Sequence, residues 1–198
     1  RYGADATRYL MLSEFPFGVD GDISLSSFSA RYNADLANDL GNLLNRVVSM
    51  INRYYAGRVP APDGDRATEL DRELQAVAER ALATFASAFE VVAFNEGLAA
   101  IWQLLSRANK YVEESAPWTL AKADTGRLAV VLYNLAESLR LAAEALSPVM
   151  PDAASRLART LGISLDPSGD WARITRWGGL PPGVQVAAKP APLFPKIQ

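Results

Sequence analysis

The chain has 198 residues, of which 49% are hydrophobic and 21% charged, with a formal net charge of −2. That balance suits one large folded domain or two small ones, ample to bury a core and unlike a disordered chain. Cysteine and histidine are both absent, which excludes disulfides, zinc sites built on sulfur or imidazole, cysteine nucleophiles and imidazole bases. No stretch approaches the roughly eighteen uninterrupted apolar residues of a membrane span, so no membrane role is expected, and a cytoplasmic location fits. The mildly acidic balance offers no global attraction to nucleic acid, so any such contact has to be local.

The recurrence of apolar residues predicts helices over most of the length. A first short helix covers 4–14, with Ala6, Tyr9, Leu10 and Leu12 on one side, and FPFGVDGD, 15–22, reads as a loop. Ser24 can cap a long helix over 25–56, in which Leu36, Leu40, Leu43, Val47, Met50, Ile51 and Tyr54 recur at spacings of three and four. GRVPAPDGD, 57–65, breaks it, because glycine closes the helix and two prolines prevent its restart. A third helix spans 66–90. Asn95 can cap a fourth over 96–115, which Pro117 ends. A fifth, 125–147, is apolar around much of its circumference, as a central element is, and Pro148 and Pro151 separate it from a sixth at 152–161. Residues 163–198 hold six of the twelve prolines, four of the thirteen glycines, and both Trp171 and Trp177. That tail is expected to be non-helical, yet too apolar for a free linker: an arm laid across a surface. The expected class is all-α, a helix bundle with an extended Pro/Trp-rich C-terminal arm. Its segments are 1–22, a connecting helix and loop; 23–162, the bundle; and 163–198, the arm.

Two places depart from plain packing. The run LGNLLNR, 40–46, puts Gly41 inside the long helix, where glycine costs about 1 kcal/mol against alanine. Stepped at about 100° per residue from Leu36, Asn42, Arg46, Ser49 and Arg53 form a narrow stripe opposite the apolar side. Asn42 and Arg46, one turn apart, can act on one object, and an amide beside a guanidinium fork suits a nucleobase edge and its phosphate. Any solvated helix also shows a polar stripe, and a lone glycine can mark a tight helix crossing. The second place is Pro117-Trp118, just past a helix end. There the indole either seals the terminus or serves as a stacking platform for an unpaired base, worth about 1–3 kcal/mol, with Lys110 and Lys122 supplying charge. Tyr54, Tyr55 and Trp102 are assigned to packing.

The runs YGADATRYLML (2–12), DGDISLSSFSARYNADLANDLGNLLNR (20–46), ANKYVEESAPWTLAK (108–122) and WGGLPPGVQVAAKPAPLFPKI (177–197), in this order, resemble methionyl-tRNA synthetases of the bacterial type. The likeness implies a helix-bundle domain that grips the CAU anticodon of tRNA(Met), with Asn42 and Arg46 reading the first anticodon base, a cytosine, and Trp118, held by Pro117, stacking on it. Gly41 would then keep the reading surface low. The family's HIGH-like and KMSKS-like signatures and cysteine-bearing zinc insertion are not found here, and ADATRY is expected just downstream of the KMSKS-like loop. The chain is therefore expected to be a C-terminal piece with no catalytic residues, no metal and no cofactor of its own. ATP, Mg and possibly Zn would belong to the catalytic half, and the arm would lie back toward that half through Trp171, Trp177 and Phe194. The competing readings are a helical protein-interaction scaffold docking through its arm, and the anticodon domain of a sister class I synthetase.

Overall fold

The computed structural model describes residues 2–18, 24–166 and 169–197. α1 spans Ala4–Glu14. Residues 15–18 are non-helical as expected, and 19–22 of that loop lie outside the described residues. Ser24 then accepts the Ser27 N–H at 3.0 Å, and a helix runs without interruption over 25–55 (α2). It is not uniform. Leu25–Arg31 and Leu43–Tyr55 are α-helical, but Tyr32–Asn42 between them is a π-helix. Spacings of three and four predict only an α-helix, so this widened stretch was not legible. Ala56 (φ 50°) and Gly57 (φ 80°), both left-handed, close α2.

α3 (Glu69–Glu90) begins at a capping box in which Thr68 and Asp71 satisfy each other's backbone N–H groups. α4 (Phe94–Ser115) starts one residue before the expected cap: Ala93 stands at the N-cap, and no side chain bonds there. Left-handed Ala116 (φ 44°) ends α4 and starts α5 (Pro117–Ala123). Asp124 accepts the Arg127 N–H at 3.0 Å and opens α6 (Thr125–Leu146). α7 covers Pro151–Thr160, and a single turn, α8, covers Trp171–Ile174.

α6 is the central element. Its residues from Leu128 to Leu146 are all buried, and it packs on α2, α3, α4, α5 and α7. Side chains such as Leu132, Leu135 and Leu139 each contribute about 1.5–3 kcal/mol on burial. The same helix buries charge, which is stable only when paired and hydrogen-bonded. Glu137, fully buried, accepts from Arg140 at 2.7 and 2.8 Å and from the backbone N–H groups of Gly178, Gly179 and Leu180 at 2.8–3.0 Å. Asp71 on α3 forms a second hub, accepting from Tyr111, Asn134 (3.0 Å), Arg127 (3.0 Å) and the Thr68 N–H (2.5 Å). Burial opposes ionisation of Asp71, but the Tyr111 hydroxyl, the Thr68 groups and the Arg127 charge together hold its carboxyl below the usual carboxylate value. Burial, and then the bond to Asp71, push the Tyr111 hydroxyl up to about 12.

The tail differs from a wholly non-helical strip. Asp170 caps α8, whose Trp171 stacks on Phe85 with ring centroids 5.4 Å apart. The remainder is extended and belongs to the bundle itself: Leu180, Val186, Leu193 and Phe194 are buried in the common core. Trp177 is partly buried against it. Among the described residues the one strand-like contact is an isolated antiparallel bridge between Arg58 and Gln185.

Candidate nucleic-acid interface

Pro117 is the first residue of α5, where its missing N–H costs nothing and its fixed φ suits a helix start. It is buried, which leaves Trp118 immediately beyond it with little freedom to move away. Trp118 itself is 45% exposed, an unusual state for so large an apolar ring. Its side chain borders a cavity shared with residues of the second half of α2.

On α2, Asn45, Arg46, Ser49 and Met50 are spaced to lie on one face. With Trp118 they line an open cavity of about 320 Å³. That is the small end of the range of about 300–1,000 Å³ for small-ligand pockets, enough for one planar ring laid on the indole. The Arg46 guanidinium is a third exposed and donates to Glu113, on the last turns of α4, at 2.6 Å. A pair so open to water contributes at most about 1 kcal/mol, but it fixes the plane of the fork and leaves other N–H donors available. The Asn45 side-chain oxygen is buried and accepts no hydrogen bond. Lys122 is exposed nearby in sequence, and Lys110 pairs with Glu114 at 3.4 Å.

The structure thus brings Arg46 and Trp118 together but separates Asn42 from them. Asn42 is exposed and lines an adjoining groove of about 490 Å³ between α2 and arm residues 192–196, with Asn45 forming part of both walls. The reason is geometric: one turn along a helix is also 5.4 Å along its axis, and at the level of Asn42 the facing wall is the arm and not Trp118. Gly41 lines the same arm-side groove. It is buried, and a Cβ there would lie 3.9 Å from the Phe194 backbone nitrogen and 3.0 Å from the Leu36 carbonyl. The arm thus stands within ordinary contact distance of position 41, and the tight neighbour there is the helix's own Leu36 carbonyl. Ser49 and Arg53, the rest of the stripe, are exposed as expected. Trp102 stacks on Tyr9 with ring centroids 4.4 Å apart, and the Tyr55 hydroxyl donates to the Thr125 carbonyl, so both serve packing. Sequence reasoning missed Asn45, Met50 and Glu113. The i, i+4 and i, i+5 relation of Asn45 to Ser49 and Met50 was available, whereas the Glu113 contact depends on how α4 crosses α2.

Among the described residues no cluster of three or more His, Cys, Asp or Glu is placed to hold a metal ion. No helix among them is long and apolar enough to cross a membrane.

The family described as the anticodon binding domain of methionyl tRNA ligase matches residues 61–198, and the class I tRNA synthetase family (M) matches residues 1–48. The chain is 44% identical over 200 residues to a methionine–tRNA ligase of Enterococcus faecalis, covering 100% of this chain and 29% of that protein. The figures for the Bacillus subtilis methionine–tRNA ligase are 44%, 100% and 30%. The chain therefore spans about three-tenths of the length of these relatives. Among solved structures it is similar to the free-state methionyl-tRNA synthetase of Mycobacterium tuberculosis, with a TM-score of 0.90 and 37% identity, covering 100% of this chain and 39% of that one. The form bound by methionyl-adenylate gives a TM-score of 0.88 at 37% identity, over 98% and 38% of the two chains.

Proposed function

The chain belongs to the family of anticodon-binding domains of methionyl tRNA ligase, and on that premise we propose that it reads the CAU anticodon of tRNA(Met) as the C-terminal part of a methionine–tRNA ligase. The observation that carries this reading is the meeting of Arg46 and Trp118 in one solvent-open cavity. A cytosine turned out of the anticodon stack lies on the indole, and the free N–H groups of Arg46 donate to its O2 and N3 acceptors. A uracil presents a donor at position 3 instead, so it meets Arg46 with one mismatched group. Pro117 holds the indole at its height. Asn42 approaches the same nucleotide from the arm-side groove, across Asn45. Replacing Asn42, Arg46 or Trp118 should leave the fold intact, because these side chains border solvent-open space.

In this reading the attachment of methionine, with ATP and Mg, and any structural zinc, belong to the part of the ligase that this chain does not span. The partners are tRNA(Met) and that catalytic half, and the protein works in the cytoplasm with the translation machinery. The test is Trp118→Ala and its binding to a hairpin bearing CAU. Affinity is expected to fall by about 1–3 kcal/mol, or roughly 5- to 150-fold, with an unchanged circular dichroism spectrum. A folded variant of unchanged affinity would remove the stacking role.

A further inference from the structure

Residues 183–197 of the arm follow α2 backwards almost from end to end. Gly183 donates to the Val59 carbonyl at 2.7 Å, and the Val59 N–H donates to the Val184 carbonyl at 3.0 Å. The Val186 N–H reaches the Gly57 carbonyl at 2.9 Å. One turn further back, the Asn52 amide donates to the Ala187 carbonyl at 2.9 Å. The Phe194 backbone then passes over Gly41, and its ring meets Tyr32 edge-on with centroids 5.9 Å apart. Finally Asn33 pairs with the Ile197 backbone in both directions, donating at 2.8 Å and accepting at 3.0 Å.

The last three contacts fall on the two ends of one unusual stretch. Tyr32–Asn42 is π-helical, a geometry rare enough to persist mostly as single-turn bulges, so a run of this length requires outside support. Tyr32 and Asn33 open the stretch and Gly41 is its penultimate residue. The carbonyl that crowds Gly41 at 3.0 Å is that of Leu36, five residues back, which is the neighbour a π turn brings opposite. A Cβ at 41 would crowd that carbonyl while only touching the arm, whose Phe194 nitrogen lies 3.9 Å from it. Were the stretch to tighten into an α-helix, each residue removed from the turn count would rotate one end against the other by about 100°. Asn42 and Arg46 follow at once, so their direction relative to Trp118 depends on which pitch is kept.

We propose that the C-terminal arm is a splint for the reading helix: seated on Asn33, Tyr32 and Gly41, it holds the π-helical pitch of 32–42 and thereby sets the angle at which Asn42 faces the arm-side groove and Arg46 the Trp118 cavity. The splint itself stands on the contacts above, and it rests on the proposed anticodon reading only for what the positioned side chains bind. Asn33 and Phe194 are positioning residues: neither lines the Trp118 cavity, Asn33 lines neither it nor the arm-side groove, and Phe194 borders that groove as part of the arm.

The test uses the full chain carrying Asn33→Ala together with Phe194→Ala, compared with the unaltered chain by amide hydrogen exchange and by binding to hairpins bearing CAU or UAU. Loss of two hydrogen bonds and a ring contact is expected to speed exchange of amides 37–46 about tenfold or more, while those of α3 and α4 stay protected. Preference for CAU over UAU should fall by about threefold or more. Unchanged exchange at 37–46 in the folded variant overturns the splint, and faster exchange with undiminished preference overturns its positioning role. If the unaltered chain shows no preference, the anticodon reading fails by itself, and the exchange result still decides the splint. Should the double variant fail to fold, Asn33→Ala alone carries the same comparison.

Discussion

Replacing Glu137 with glutamine tests how the arm is fastened to the bundle. The carboxylate is fully buried on α6, and its two oxygens divide five donors between them. One oxygen takes an Arg140 N–H and the backbone N–H groups of Gly178 and Gly179; the other takes the second Arg140 N–H and that of Leu180. A glutamine can keep only one oxygen. In its better orientation the amide nitrogen faces Arg140 Nε and the Leu180 N–H, leaving two buried donors without an acceptor and a buried guanidinium without a counter-charge. Breaking a buried ion pair from one side costs about 3–5 kcal/mol, so the midpoint of thermal unfolding should drop by about 10 °C. Circular dichroism measures that drop. Tryptophan fluorescence, with Trp177 next to Gly178, should report release of the arm at lower denaturant than loss of helix. A loss below about 1 kcal/mol, or coincident transitions with unaltered midpoints, would refute the claim that Glu137 is the arm's anchor.

Asp71→Asn should destabilise the protein at neutral pH, and its deficit against the parent should shrink as the pH falls. The carboxyl of Asp71 sits below its ordinary value, so its stabilisation is present above about pH 4 and is lost as the pH drops through the folded value; a gap in melting temperature that stays constant down to pH 2.5 would contradict this. Glu113→Gln should change stability by less than about 1 kcal/mol, because its pair with Arg46 is open to water. The same change should tighten hairpin binding about fivefold by removing an anion beside the RNA and freeing Arg46; weaker binding would mean that Glu113 holds Arg46 in its productive pose.

The helices were legible because their apolar residues keep the period of the packing they enter. α6 shows this best: an apolar circumference marked it as central, and it is buried throughout. Its buried Glu137 and Arg140 were not legible, since their partners lie on a turn about forty residues downstream whose return to α6 no local pattern announces. The widened stretch of α2 was hidden for a related reason. A wheel turned at a constant step assumes the α pitch, while Tyr32–Asn42 keeps another that depends on contacts from the far end of the chain. The outward stripe survived that error because Arg46, Ser49 and Arg53 lie in the regular part, Leu43–Tyr55. Trp118 was legible as a candidate from its place after Pro117. Its place beside α2 depends on the chain turn at left-handed Ala116, a conformation an alanine does not advertise.

The most direct test compares the affinities of the unaltered chain and Arg46→Ala for two anticodon hairpins differing only in CAU against UAU, at one fixed salt concentration. The parent should favour CAU by about 1–3 kcal/mol, and folded Arg46→Ala should bind both hairpins nearly alike. An Arg46→Ala protein that still prefers CAU as strongly as its parent would contradict the assignment of base reading to this face of α2.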